Sequence, residues 1–171
     1  TPDKKRRVKL TYKENKIAET IIEPAESSDK RPAVPMADKN AAYDLISFLL
    51  QIRKELATAK NSDKKTFTIN IFDGRRLTQT DFQIIGEKTI KIAGKKYVTL
   101  AVSSRRKQLG GFTKDEIADQ DPDEPSMTTY FSNDEKLIPL RMERPFLMQK
   151  ISATLVKTCG NNESCLLGNR E

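Results

Sequence analysis

Histidine is absent from this chain, and that absence closes off a wide band of chemistry. A Ser-His-Asp or Cys-His nucleophile, a His-x-x-x-His zinc site and a phosphohistidine relay all need an imidazole, so none can be built here. Cysteine is scarce: Cys159 and Cys165 are the only two, too few to hold zinc well by themselves. Neither G-x-x-x-x-G-K-[ST] nor G-x-G-x-x-G occurs, so no glycine-rich loop is set to cradle phosphate at a helix N-terminus. No run of about 18 or more apolar residues is present, which excludes a membrane-spanning helix, and the first residues lack the apolar region of a signal peptide. The chain is therefore expected to be cytosolic or to have lost an export signal. No cofactor and no metal site are expected from this inventory.

Charge is plentiful by contrast. Charged residues make up 32% of the chain and hydrophobic ones only 36%, which implies a small core beneath a heavily charged shell. At 171 residues one domain covering residues 1–171 is the default, able to bury about 70% of the unfolded chain's surface. A net charge of +7 suits an anionic partner such as a nucleic acid, a membrane surface or a polyanionic glycan, or else simply keeps the chain in solution. "CGNNESC" is a polar, turn-rich loop in which Cys159 and Cys165 could close a small disulfide in an oxidising compartment; two free thiols in a loose tail over 158–171 are the alternative.

Along the chain, "KKRRVKLTYKENK" opens like an import tag or a binding arm with Lys4, Lys5 and Arg6. From Arg7 onward Val8, Leu10 and Tyr12 alternate with basic residues as in a half-buried strand. A turn at Glu14-Asn15 and "KIAETII" complete a hairpin. Residues 23–37, with three prolines, read as an extended connection. A helix is predicted from Asp38 or Asn40 to about Ala59, since Leu45, Phe48, Leu49, Ile52 and Leu56 recur at spacings of three and four. From Thr66 the period becomes two. Phe67, Ile69 and Ile71 share a face, Asp73-Gly74 and Ala93-Gly94 read as hairpin turns, and an antiparallel meander follows. Six carboxylates between Asp115 and Glu124 mark residues 110–125 as an exposed acidic loop, without the glycine and glutamate spacing of a calcium-binding EF-hand. "MTTYFS", "KLIPLRMER" and "PFLMQKISATLVK" read as three closing strands, with Pro139 at an edge or beside a bulge.

The expected fold is mainly β: a curved antiparallel sheet or open β-barrel with one amphipathic helix packed against it. Such a lid over a sheet makes an apolar cleft, for which Phe48, Leu49, Ile52, Phe67, Ile69 and Ile71 are the candidate lining residues. Arg75, Arg76, Lys95, Lys96, Arg105, Arg106 and Lys107 lie near strand ends and would form a basic rim if those ends converged. Aromatic residues, at 6%, are too few to interleave that rim with stacking platforms, which disfavours nucleic acid. Carboxylate pairs remain the one accessible catalytic option, and Asp73, Asp81 and Glu87 are the candidates, though Asp73 is better explained by its turn.

The blocks "RPAVPMADKNAAYDLISFLLQIRKEL", "FDGRRLTQTDF", "GEKTIKIAGKKYVTLAV", "RRKQLGGF" and "FSNDEKLIPLRMERPFLMQKISATLV", in that order from Arg31 to Val156, resemble the exported bacterial domain-of-unknown-function family three-one-zero-eight, nearest its alphaproteobacterial branch. The resemblance implies a periplasmic or secreted protein and supplies no catalytic residues. It also implies further strands ahead of the segment matching Arg7, and hence an incomplete sheet with an exposed edge. The expectation is a non-enzymatic envelope protein that takes a hydrophobic or amphiphilic ligand beneath its helix, with an envelope lipid or another protein as partner and peripheral membrane contact as an option. The alternative is a protein-interaction module or secreted effector working through its sheet edge and charged loops. A carboxylate-dependent hydrolase and a nucleic-acid binder rank below both.

Overall fold

The computed structural model describes residues 7–14, 16–23, 31–119, 127–146 and 149–156. Lys4, Lys5, Arg6, Cys159, Cys165 and the tail over 158–171 lie outside the described residues, as do parts of the Pro-rich connection and of the acidic segment. The chain divides into two compact units, each assembled from three stretches: Thr1–Glu55, Phe67–Asp81 and Arg106–Glu124 in the first, and Leu56–Thr66, Phe82–Arg105 and Pro125–Glu171 in the second. The mainly β class with one principal helix is what the structure has.

In the first unit, β1 (Arg7–Lys13) and β2 (Lys16–Glu23) pair antiparallel as a two-stranded sheet, with a register shift between Thr11 and Tyr12. The basic opening thus enters a strand at Arg7. Leu10 packs against a buried cluster of Ile17, Val34, Ala42, Phe72 and Leu77, which ties the hairpin to the rest of the unit. β3 (Ala42–Tyr43) pairs parallel with β4 (Thr66–Phe72), Ala42 against Asn70 and Tyr43 against Ile71. Asp73–Arg76 then form a four-residue loop rather than a two-residue turn. The Asp73 carboxylate accepts the backbone N–H of Arg75 at 2.9 Å and of Arg76 at 2.8 Å, and the Asp73 N–H donates to the Arg76 carbonyl. Two glycines let this loop pack closely. A Cβ on Gly74 would stand 2.5 Å from Val8, and one on Gly111, at φ +76, would stand 1.9 Å from the Arg75 carbonyl oxygen.

β5 (Leu77–Ile92) and β6 (Lys95–Gly110) are each one unbroken strand of 16 residues, joined at Ala93-Gly94 with φ of 45° and 80°. Positive φ at both central residues is what a tight hairpin turn of this hand requires. The acidic segment departs from expectation. Its described part winds into a one-turn helix, α2 (Lys114–Ala118), because Thr113 and Glu116 form a reciprocal capping box.

The principal helix also departs from its predicted start. α1 covers Leu45–Lys60, and residues Ala37–Lys39, where the sequence placed the cap, form only a 3-10 turn. Asp44 is the effective cap: its carboxylate accepts the N–H of Ile46 at 2.8 Å and of Ser47 at 2.9 Å, and its carbonyl accepts from Phe48.

In the second unit, β7 (Met127–Ser132), β8 (Pro139–Phe146) and β9 (Gln149–Thr154) pair antiparallel in turn, with β7 against β6. Pro139 opens β8 opposite Phe131, at a register shift after Tyr130, so the bulge rather than the edge accommodates it. Pro145 and Phe146, read from sequence as the start of the last strand, instead end β8. Seven strands run in the order β3-β4-β5-β6-β7-β8-β9, with β3 and β9 at its two ends, so among the described residues the order is open.

Candidate functional site

α1 carries its information in the contrast between its two halves. Six of the eight residues from Leu45 to Ile52 are apolar, too many for a helix that buries a single stripe. Ile52, Leu56 and Ala59 are buried, and Leu56 has no exposed surface at all. Leu45, Ile46, Leu49 and Leu50, on the first two turns, are 62%, 76%, 55% and 61% exposed. Positions i, i+1, i+4 and i+5 lie on adjoining faces of a helix, so these four side chains form one apolar surface.

Polar contacts fix the approach to that surface. The Tyr12 hydroxyl accepts the Asp44 N–H at 3.0 Å and donates to the Asp44 carboxylate at 3.2 Å, joining the end of β1 to the start of α1. Ser47 Oγ donates to the same carboxylate at 2.7 Å. Burial works to raise the Asp44 carboxyl, and the hydrogen bonds from Ser47, Ile46 and Tyr12 outweigh it, holding the group below its ordinary value. Burial, reinforced by the Asp44 charge, pushes the Tyr12 hydroxyl up. Three lysines stand on the connected segments. Lys13 pairs with Lys16 across the hairpin, Lys16 bridges to Asn40, and Lys39 lies with its ammonium 4.7 Å from the centre of the Phe72 ring. Partial burial lowers the Lys39 pKa.

Of the lining residues expected from the sequence, Ile52, Phe67, Ile69 and Ile71 are buried, Phe48 is half-buried and Leu49 faces outward. Ile46 and Leu50 were missed. The signal that could have found them was the doubled pattern Leu45-Ile46, Leu49-Leu50, which widens the apolar stripe beyond one face.

The expected basic rim is distributed over separate contacts. Arg76 and Arg31 both hold Glu116: Arg31 donates twice, at 2.8 and 3.2 Å, and Arg76 donates to the same Oε1 as Arg31. The Arg76 guanidinium also lies over the Phe112 ring, 5.5 Å from its centre. Hydrogen bonding from Arg31, aided by the Thr113 N–H and Arg76, pulls the Glu116 carboxyl down to about 2. Lys107 pairs with Asp81 at 2.9 Å, while Arg105 and Arg106 are exposed beside it. Lys95 and Lys96 open β6, at the opposite end of that strand. Arg75 follows Gly74 in the loop already described.

The carboxylate candidates have their own separate partners. Asp73 caps its loop. Asp81 is held below its ordinary value first by Lys107 and also by Thr68, whose hydroxyl donates to it at 2.9 Å. Glu87 accepts the Asn133 amide at 2.6 Å. A fourth carboxylate, Glu143, accepts from Tyr130 at 3.1 Å and faces Arg141, which in turn donates to Thr154 at 3.2 Å and to the Lys91 carbonyl at 2.7 Å. This network ties β8 to its neighbours. Among the described residues no three carboxylates gather as a metal would need, and no helix is long and apolar enough to cross a membrane.

No curated protein and no solved structure matches the chain. The model of one family, described as Protein of unknown function (DUF3108), matches residues 1–156. That match takes in β1 and β2, ahead of the blocks from Arg31 that carried the sequence resemblance, and ends with them at Val156. The chain belongs to this family.

Proposed function

We propose that the protein binds an amphiphilic molecule without altering it, the apolar part lying on the first two turns of α1 and an acidic head group meeting Lys13, Lys16 and Lys39. The exposure of Leu45, Ile46, Leu49 and Leu50 carries this reading. Together they present an apolar surface on the order of 400 Å², the size at which a patch on a monomer is commonly functional. Covering half of it is worth about 5 kcal/mol at ~25 cal/mol per Å², before the costs of binding. The three lysines supply the charge a carboxylate or phosphate head group would meet. In this reading the ligand lies on the outer helix surface, and Phe67, Ile69 and Ile71 support the site from the core. The protein would work in the periplasm or outside the cell, as the sequence resemblance implies, where Cys159 and Cys165 would find an oxidising environment.

Palmitate is a suitable probe, followed by isothermal titration and by native mass spectrometry of protein from its own source. Ile46→Asp removes an exposed contact at little cost to folding. It should weaken palmitate binding at least about tenfold, since burying one such side chain is worth about 1.5–3 kcal/mol. A wild-type protein that arrives bare and ignores palmitate, or an Ile46→Asp variant that binds equally well, would defeat the proposal.

A further inference from the structure

The two ends of the seven-stranded order are treated very differently. β3 is only two residues long, which leaves little edge to extend. β9 offers six residues, five of them exposed, and among the described residues no strand pairs with the side turned away from β8. Natural edges are commonly blunted by proline, by bulges or by several lysines. Gln149–Thr154 contains no proline, and its register against β8 is unbroken from Arg141–Thr154 to Phe146–Gln149. Its one charge, Lys150, already leans toward Glu143 at 3.9 Å. Apolar side chains flank this edge. The register puts Ile151 beside Arg144 and Ala153 beside Met142, so Met142, Phe146 and Ile151, at 40%, 56% and 58% exposure, share a face on which Arg144 also stands.

We infer that β9 pairs antiparallel with β9 of a second copy of this chain across a two-fold axis. Charge selects that occupant. Any charge on a strand that pairs with its own copy is duplicated across the axis, so a self-pairing edge must be charge-poor, and β9 is charge-poor in a chain that is 32% charged. With the axis at Ile151, each Ile151 faces its counterpart and each Lys150 faces a Ser152, so no like charges are opposed. The face that carries Met142, Phe146 and Ile151 then continues from one copy into the other, with the two Ile151 side chains meeting at its centre. This pairing is independent of the amphiphile surface on α1.

Sedimentation equilibrium of the full chain, from micromolar to several hundred micromolar, should show a monomer–dimer equilibrium. Ile151→Glu would set two like charges against each other at the axis and should raise the dimer Kd at least about tenfold, with the Tm of the dilute monomer little changed because Ile151 is exposed and its cross-strand neighbour Arg144 carries the opposite charge. Hydrogen exchange on the wild-type chain gives a second reading that survives a badly folded variant. Leu155 donates to the Leu140 carbonyl, so in this register alternate residues bond to β8 and the Lys150, Ser152 and Thr154 amides face the open edge. These should exchange more slowly as concentration rises. A monomer at every concentration overturns the inference, as does a dimer whose Kd ignores Ile151→Glu. Outward amides of Lys150, Ser152 and Thr154 protected equally at all concentrations would also overturn it, because a segment of the same chain would then be covering the edge.

Discussion

At the scale of single residues, Glu116 is the most heavily committed carboxylate described. It closes the capping box of α2, takes both arms of Arg31 and takes Arg76 as well, and these contacts hold its carboxyl at about 2 against an ordinary 4.5. The unfolded chain therefore binds more protons than the folded one between about 2 and 4.5. Glu116 contributes its full stabilisation above that window, and loses it as pH falls toward about 2. Glu116→Gln keeps an acceptor for the Thr113 N–H and removes only the charge. Thermal unfolding should show a Tm gap between wild type and Glu116→Gln that is constant above about pH 5 and closes below it. Asp44, Asp81 and Asp134 are also held below their ordinary values, but they titrate in both proteins and cancel in the difference. A gap that ignores pH would mean the ion pairs with Arg31 and Arg76 do not stabilise the fold. The sequence did not reveal this cluster, because Arg31, Arg76 and Glu116 are brought together only by the chain's long-range path. Locally Glu116 is one of six acids in a segment that reads as solvated.

At the scale of elements, the strand alternation and the period of α1 were legible, whereas the start of the helix was not. Asp38, Asn40 and Asp44 are all good capping types, and nothing within that segment ranks them. The choice is made by β3, whose pairing with Asn70 and Ile71 holds Ala42 and Tyr43 extended and delays the helix to Leu45. Asp44→Ala should therefore cost about 1–2 kcal/mol by urea unfolding, since it strips the cap from Ile46 and Ser47. Asp38→Ala should stay within about 0.5 kcal/mol. Equal costs at the two positions would put the effective cap back where the sequence first suggested it. The same limit explains the candidate site. Spacing identifies which residues of α1 share a face, and it cannot say that Ile52 and Leu56 are covered while Leu49 and Leu50 are not.

For the whole molecule, the mainly β class and the antiparallel succession after Thr66 followed from turn chemistry and from the change of period there, whereas the parallel strand β3 fell inside the segment read as helix. The division into two units had no comparable signal. Boundaries between contiguous domains show themselves as glycine, serine or proline-rich linkers, but here the boundaries fall inside regular elements. α1 passes from Glu55 to Leu56, β5 from Asp81 to Phe82 and β6 from Arg105 to Arg106 across the division. A helix or strand loses its hydrogen-bonded ladder cooperatively, so melting either unit breaks elements that the other unit needs. The chain should unfold in one transition, with calorimetric and van't Hoff enthalpies equal and with amide protection in β4 and β7 lost at the same urea concentration. Two separated transitions would show that the elements running through the division do not couple the units. α1, with its exposed first turns in one unit and its buried Leu56 in the other, would then be the element to break first.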